Sequence, residues 1–153
     1  MDRFDTTAFA SPDRMCGGTS MTAAPITTAA MARDHVRAVV QEQWNTPSRR
    51  ATETAVIDLL LVVSELAANA VRHGGGLVGV EVTSTREGVR LAVHDNSDVV
   101  PAAAFGSGDL PSVHHGNGYG WPLIIRLARD IAIERRPGGG KTIRVLVPLQ
   151  TMP

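Results

Sequence analysis

Val62-Val63-Ser64-Glu65-Leu66-Ala67-Ala68-Asn69-Ala70-Val71-Arg72-His73-Gly74 is the stretch on which the reading of this 153-residue chain turns. It places a carboxylate, a carboxamide and an imidazole at intervals of four. Residues four apart lie almost above one another on a helix, so Glu65, Asn69 and His73 form one polar edge. A carboxylate able to take a proton, beside an amide oxygen able to hold a hard cation, is a starting point for phosphoryl chemistry with magnesium. By itself an E-x-x-x-N pair more often describes an ordinary solvated helix face. The rest of the chain decides between the two.

Working outward, the spacing predicts a helix over residues 50–73, with Val56, Leu59, Leu60, Val63, Leu66, Ala67 and Ala70 as its apolar stripe. At about 100° per residue, Glu65 and Asn69 fall roughly opposite the centre of that stripe, flanked by Leu61 and Val62. Gly74-Gly75-Gly76 ends the helix. An earlier helix is predicted over 28–44, where Ala32, His35, Val36, Val39, Val40 and Gln43 recur every three or four residues before Pro47. Two strands follow the central helix, over 77–85 and 89–94, joined by a turn at Arg86-Glu87-Gly88. Residues 95–117 read as a long loop of the kind that is functional or mobile. Pro122 suits the first turn of a third helix that extends to about Asp130. Strands over 131–135 and 142–147 flank Pro137-Gly138-Gly139-Gly140. Strands gathered beside helices predict an α/β two-layer sandwich, with helices on one face of a mixed, mainly antiparallel sheet. The strict alternation of a doubly wound fold is absent.

Composition narrows the function. Lysine plus arginine and aspartate plus glutamate both number 15, giving a formal net charge of zero, so no global field favours nucleic acid or an acidic membrane. Lys141 is the only lysine. A single cysteine, Cys16, excludes an internal disulfide, and a reducing cytoplasm is the expected location. Apolar runs such as 55–63 are broken by Asp58 and read as too short to span a bilayer. The amino terminus, with Asp2, Arg3 and Asp5, lacks the pattern of a signal peptide. Residues 1–24 have no apolar period and read as a flexible tail, 25–149 as the single domain, and 150–153 as a carboxy-terminal tail.

Three further segments carry chemistry. Asp95, in Val93-His94-Asp95-Asn96-Ser97, closes an apolar strand; a carboxylate buried there can accept a hydrogen bond from an exocyclic amine and so select adenine. Gly116-Asn117-Gly118-Tyr119-Gly120 immediately precedes a helix, where backbone N–H groups and the helix amino terminus favour phosphate. Gly140-Lys141-Thr142 heads the last strand, from which the Thr142 hydroxyl could reach the same base. It is not a Walker A ending, since Arg135 stands where that motif needs glycine and a strand follows instead of a helix. His114-His115 point differently and have no spaced carboxylate partner for a metal. His73 is expected to favour the helix carboxyl end.

In this order and spacing the segments resemble the Bergerat-fold (GHKL-type) ATPases, the superfamily of gyrase and histidine kinase ATP-binding domains. Within it the closest likeness is to bacterial anti-sigma regulatory serine-protein kinases and their small ATP-binding relatives. Ser64-Glu65-Leu66-Ala67-Ala68-Asn69-Ala70-Val71-Arg72-His73-Gly74 looks like that family's N box, and Gly118-Tyr119-Gly120-Trp121-Pro122-Leu123-Ile124 like its second glycine box. The resemblance covers residues 25–149 and implies ATP and Mg2+ as cofactors. It implies Glu65 as general base, Asn69 as magnesium ligand, Asp95 at the adenine amine and Thr142 near the base. Gly118, Tyr119 and Gly120 would wrap the phosphates, and residues 97–117 would form an ATP lid. The implied activity is transfer of the γ-phosphoryl group to a serine of an anti-anti-sigma-type protein, a partner that competes with a sigma factor. The alternative is an ATP-gated protein-binding module without catalysis. A homodimer is compatible with the resemblance, although Val36, Val39 and Val40 serve equally as core residues. Two departures stand out: Asn96-Ser97-Asp98 replaces the glycines expected after the aspartate, and Trp121-Pro122 replaces a small aliphatic residue.

Overall fold

The computed structural model describes residues 25–106 and 120–152. Helix α1 (Ala29–Val39) begins where the Thr28 hydroxyl accepts the Met31 N–H, satisfying one of the free donors of the first turn. It runs into a π-helical turn, Val40–Trp44, closed by Asn45 N–H donating to the Val40 carbonyl at 2.8 Å. The wider turn brings Trp44 into the core, where its indole N–H donates to the Thr85 carbonyl at 3.0 Å. The Arg49 guanidinium covers the ring from 4.2 Å.

Helix α2 (Glu53–His73) is capped by the Thr52 hydroxyl and followed by strands β1 (Leu77–Ser84) and β2 (Gly88–Asp95). A 3-10 turn, Ala102–Phe105, lies in the segment after β2. Helix α3 (Gly120–Leu127) then leads to β3 (Arg129–Arg135) and β4 (Lys141–Pro148). The third helix begins at Gly120, with Pro122 in its first turn as expected, and ends three residues short of its expected limit. Asp130 takes a left-handed φ of 53° where β3 is irregular against β4, which fixes that boundary.

The sheet order is β1-β2-β4-β3, and every described pairing is antiparallel. Period-two alternation sends Val89, Leu91 and Val93 of β2 and Ile143, Val145 and Val147 of β4 to one face, where they meet the helices. The opposite face carries Arg90, His94, Thr142 and Arg144. This is the expected two-layer α/β sandwich, and the antiparallel pairing holds throughout the described strands.

Three details differ from the sequence reading. Val62 of α2 is fully buried together with Leu59, Val63 and Leu66, while Leu61 stays 40% exposed, so the buried face is turned toward Val62. Asn69 consequently borders that face instead of opposing it. Residues 150–152 are paired with 50–52 through Thr52 N–H to the Gln150 carbonyl (2.9 Å) and Met152 N–H to the Arg50 carbonyl (2.8 Å), so over that stretch the carboxy terminus is not a free tail. By length and composition α2 could cross a membrane, in contrast to the short apolar runs read from the sequence; its buried residues pack against α1, α3 and the sheet, while Ile57, Leu61 and Val71 stay exposed. Val36, Val39 and Val40 face the chain's own core.

Candidate functional site

The ends of α2 and β2 and the start of β4 converge on a cavity of about 400 Å³. Its lining is mainly apolar, from Val99, Pro101, Ala102, Ala103, Trp121, Pro122 and Ile143, with Asn69, His73, Asp95 and Lys141 as the polar groups. A concave apolar site with a few convergent polar groups is the general form of a small-molecule site.

Asp95 and Lys141 are directly opposed in the antiparallel register of β2 and β4. The Lys141 ammonium lies 2.8 Å from Asp95 Oδ2, and each side chain is only 4% exposed. The second carboxylate oxygen accepts the Ser97 N–H at 2.9 Å, and Lys141 Nζ also donates to the Ser97 carbonyl at 3.3 Å. These bonds satisfy charges that burial would otherwise make costly. Gly74, at the end of α2, sits so close that a Cβ there would stand 2.5 Å from Asp95 Oδ2. Asn96 N–H donates to the Gly74 carbonyl at 2.8 Å, clamping the end of α2 to the end of β2. Gly140 N–H donates to Asp98 Oδ1 at 2.8 Å. The Asn96-Ser97-Asp98 segment, without the glycines of the resembled family, is therefore tied through polar bonds to the start of β4.

Glu65 and Asn69 lie along α2 toward α3. A Cβ at Gly120 would stand 2.8 Å from Glu65 Oε1 and 3.7 and 3.8 Å from the two ends of the Asn69 amide. The absence of a side chain at Gly120 leaves room for the Glu65 carboxylate, while the Asn69 amide lies at ordinary contact distance. Arg33 of α1 donates to the Ser64 hydroxyl at 3.3 Å, joining α1 to α2 one residue before Glu65. The Asn69 Nδ2 atom is buried without a hydrogen-bond partner. An unpartnered buried amide end costs about 1–3 kcal/mol and marks a position where a ligand or ion would be accepted. The oxygen and nitrogen of such an amide are assigned from their bonding network, so the same end can equally present oxygen to a hard cation. Among the described residues no cluster of three His, Cys, Asp or Glu side chains could hold a metal by itself. One amide oxygen, completed by phosphate oxygens and water, suits magnesium, which keeps much of its shell outside the protein.

The structure thus brings Asn69, Asp95 and Gly120 to one place, with Glu65 at the Gly120 edge. Gly118, Tyr119 and His114-His115 lie outside the described residues. His73 lines the cavity. Thr142 is corrected: its hydroxyl bonds His94 Nδ1 at 2.7 Å on the opposite face of the sheet, because strand alternation gives the cavity to its neighbours Lys141 and Ile143. Lys141 is the cavity residue the sequence reading passed over. Counting alternate residues back from Ile143 and Val145 would have placed it. On the far face His94 Nε2 bonds Glu81 at 3.1 Å, and that bond holds the Glu81 carboxyl below its ordinary value, with burial opposing and the charges of His94 and Arg144 assisting.

The family model of the histidine kinase-like ATPase domain matches residues 22–146. The chain is similar to the sensor-type histidine kinase PrrB of Mycobacterium tuberculosis and of Mycobacterium bovis, at 34% identity over 102 residues, 59% of this chain and 23% of each relative. PrrB of Mycobacterium leprae is 36% identical over 94 residues, 54% of this chain and 21% of the relative. The chain thus matches less than a quarter of the length of these relatives.

Proposed function

The chain belongs to the histidine kinase-like ATPase domain family, and from that premise we propose that it binds ATP and transfers the γ-phosphoryl group to a serine of an anti-anti-sigma-type protein. The observation that carries the reading is the convergence of Asn69, Asp95 and the amino terminus of α3 on one cavity, with Glu65 against Gly120 at its edge. The choice of serine as acceptor rests on the N-box phrase Ser64 to Gly74. Within this reading residues 25–149 form the working domain, the location is the cytoplasm, and the partner competes with a sigma factor.

Asp95 accepts the exocyclic amine of the base, deep in the cavity and away from water. The free N–H groups of the first turn of α3 face the phosphates, with Gly118 and Tyr119 contributed by the preceding segment. Asn69 would hold magnesium, which when bound supplies charge compensation for the phosphate oxygens. Glu65 takes the proton of the acceptor hydroxyl as the seryl oxygen bonds to the γ-phosphorus and the bond to the bridging oxygen breaks, leaving ADP.

Calorimetric titration of ATP with magnesium into the wild type and Asn69→Ala tests the site: binding that weakens sharply in the variant supports it, and no binding by folded wild type overturns it. Transfer of labelled phosphate to an anti-anti-sigma-type protein tests the chemistry. Glu65→Ala should keep ATP and lose transfer; equal loss of both would count against the base assignment.

A second reading, an ATP-gated binding module without catalysis, is favoured by one observation. The segment after Asp95 is held by Lys141 and Gly140 instead of being glycine-rich and open, and Trp121 adds bulk to the cavity wall. Binding of ATP and of the partner with no ATP consumed would select this reading.

A further inference from the structure

The chain's only lysine is sealed into the wall of the cavity, although lysine is almost never fully buried without a partner. Its placement follows from strand register: Lys141 is the cross-strand neighbour of Asp95 and shares a face with Ile143. Two of its contacts are assigned, to Asp95 Oδ2 at 2.8 Å and to the Ser97 carbonyl at 3.3 Å. An ammonium carries a third hydrogen. Asp95 likewise keeps acceptor capacity, since an ionised carboxylate offers roughly four lone-pair sites and the described bonds from Ser97 and Lys141 use fewer. A spare donor and a spare acceptor therefore stand side by side in a mainly apolar wall whose other polar side chains are Asn69 and His73.

A lone carboxylate can only accept, so it reads an amine and nothing beside it. We propose that Lys141 is a specificity-determining residue that reads the nucleobase together with Asp95: Asp95 accepts from the 6-amino group of adenine while Lys141 donates to the adjacent ring nitrogen N1. This rests on the ATP-binding reading and adds to it a base contact supplied by the only lysine of the chain. A 6-oxopurine presents the two groups in reversed order, an acceptor at the 6-position and an N–H at N1. It would set oxygen against the carboxylate and N–H against the ammonium, and is rejected twice.

The test is calorimetric titration of ATP and 1-deaza-ATP, which has C–H in place of N1, into the wild type, Lys141→Met and Lys141→Arg, each with magnesium. The wild type should bind 1-deaza-ATP about tenfold or more weakly than ATP, the loss of one hydrogen bond from a charged donor. Lys141→Met should bind the two alike within about twofold, and Lys141→Arg should keep a preference. If the wild type takes both nucleotides equally, or if Lys141→Met keeps the wild-type ratio, the proposal is overturned while ATP binding stands. Folded wild type that takes neither nucleotide overturns the ATP-binding reading, and this proposal with it. If Lys141→Met does not fold, equal binding of the two nucleotides by the wild type still overturns the proposal, and Lys141→Arg carries the assignment through a changed ratio.

Discussion

Gly120 and Glu65 are in such close register that a Cβ on the first residue of α3 would stand 2.8 Å from the carboxylate of the other. The obstructing atom is the far end of a flexible side chain, so the contact constrains the position of the carboxylate more than the stability of the fold. Gly120→Ala should therefore change the unfolding free energy little, by less than about 1 kcal/mol, while displacing Glu65 and reducing phosphoryl transfer. Loss of stability of several times that size, with transfer retained, would refute the assignment.

Asn69 carries a buried amide end with no partner. Removing an unsatisfied donor relieves its desolvation cost, so Asn69→Ala should make the nucleotide-free protein equally stable or more stable by about 1 kcal/mol. The same variant should lose most of its ATP affinity in magnesium. Chemical denaturation and calorimetry on one preparation check both halves, and a variant both less stable and normal in binding would contradict the site.

Asp95 and Lys141 form an ion pair with each side chain 4% exposed. Breaking such a pair from one side leaves a buried charge, so Asp95→Ala should cost about 3–5 kcal/mol. Asp95→Ala combined with Lys141→Met should cost clearly less than the sum of the two single changes. Additive losses in a double-mutant cycle would mean that the pair contributes no coupling.

The hydrogen bond from His94 lowers the Glu81 carboxyl pKa, so its folded value lies below its unfolded one. Its stabilising contribution is then complete above the ordinary carboxylate range and disappears as pH falls through the lowered value. Glu81→Gln should flatten the stability profile between about pH 5 and 3 relative to wild type. Superimposable wild-type and variant slopes across that window would refute the linkage.

Much of this was legible in the chain itself. Helix, helix, strand, strand, helix, strand, strand could be read because local periodicity is a local property: Leu59, Val63, Leu66 and Ala70 repeat at helical spacing, and Val89, Leu91 and Val93 alternate as a strand does. The polar edge of α2 was equally legible, since a four-residue spacing fixes Glu65 and Asn69 relative to one another whatever surrounds them.

What the chain by itself determined, then, was its secondary structure and order, its two-layer class, and the alignment of Glu65 with Asn69. Only tertiary structure decided which strand face met the cavity, giving it Lys141 and turning Thr142 toward His94. It also decided that Val62 joined the core, that residues 150–152 paired with 50–52, and that Asp95 acquired a charged partner across the sheet. The physical reason is that a strand's two faces are equivalent until packing buries one of them. A shift of one residue in register exchanges every side chain between faces, and cross-strand register is set by long-range packing that no short stretch of sequence contains.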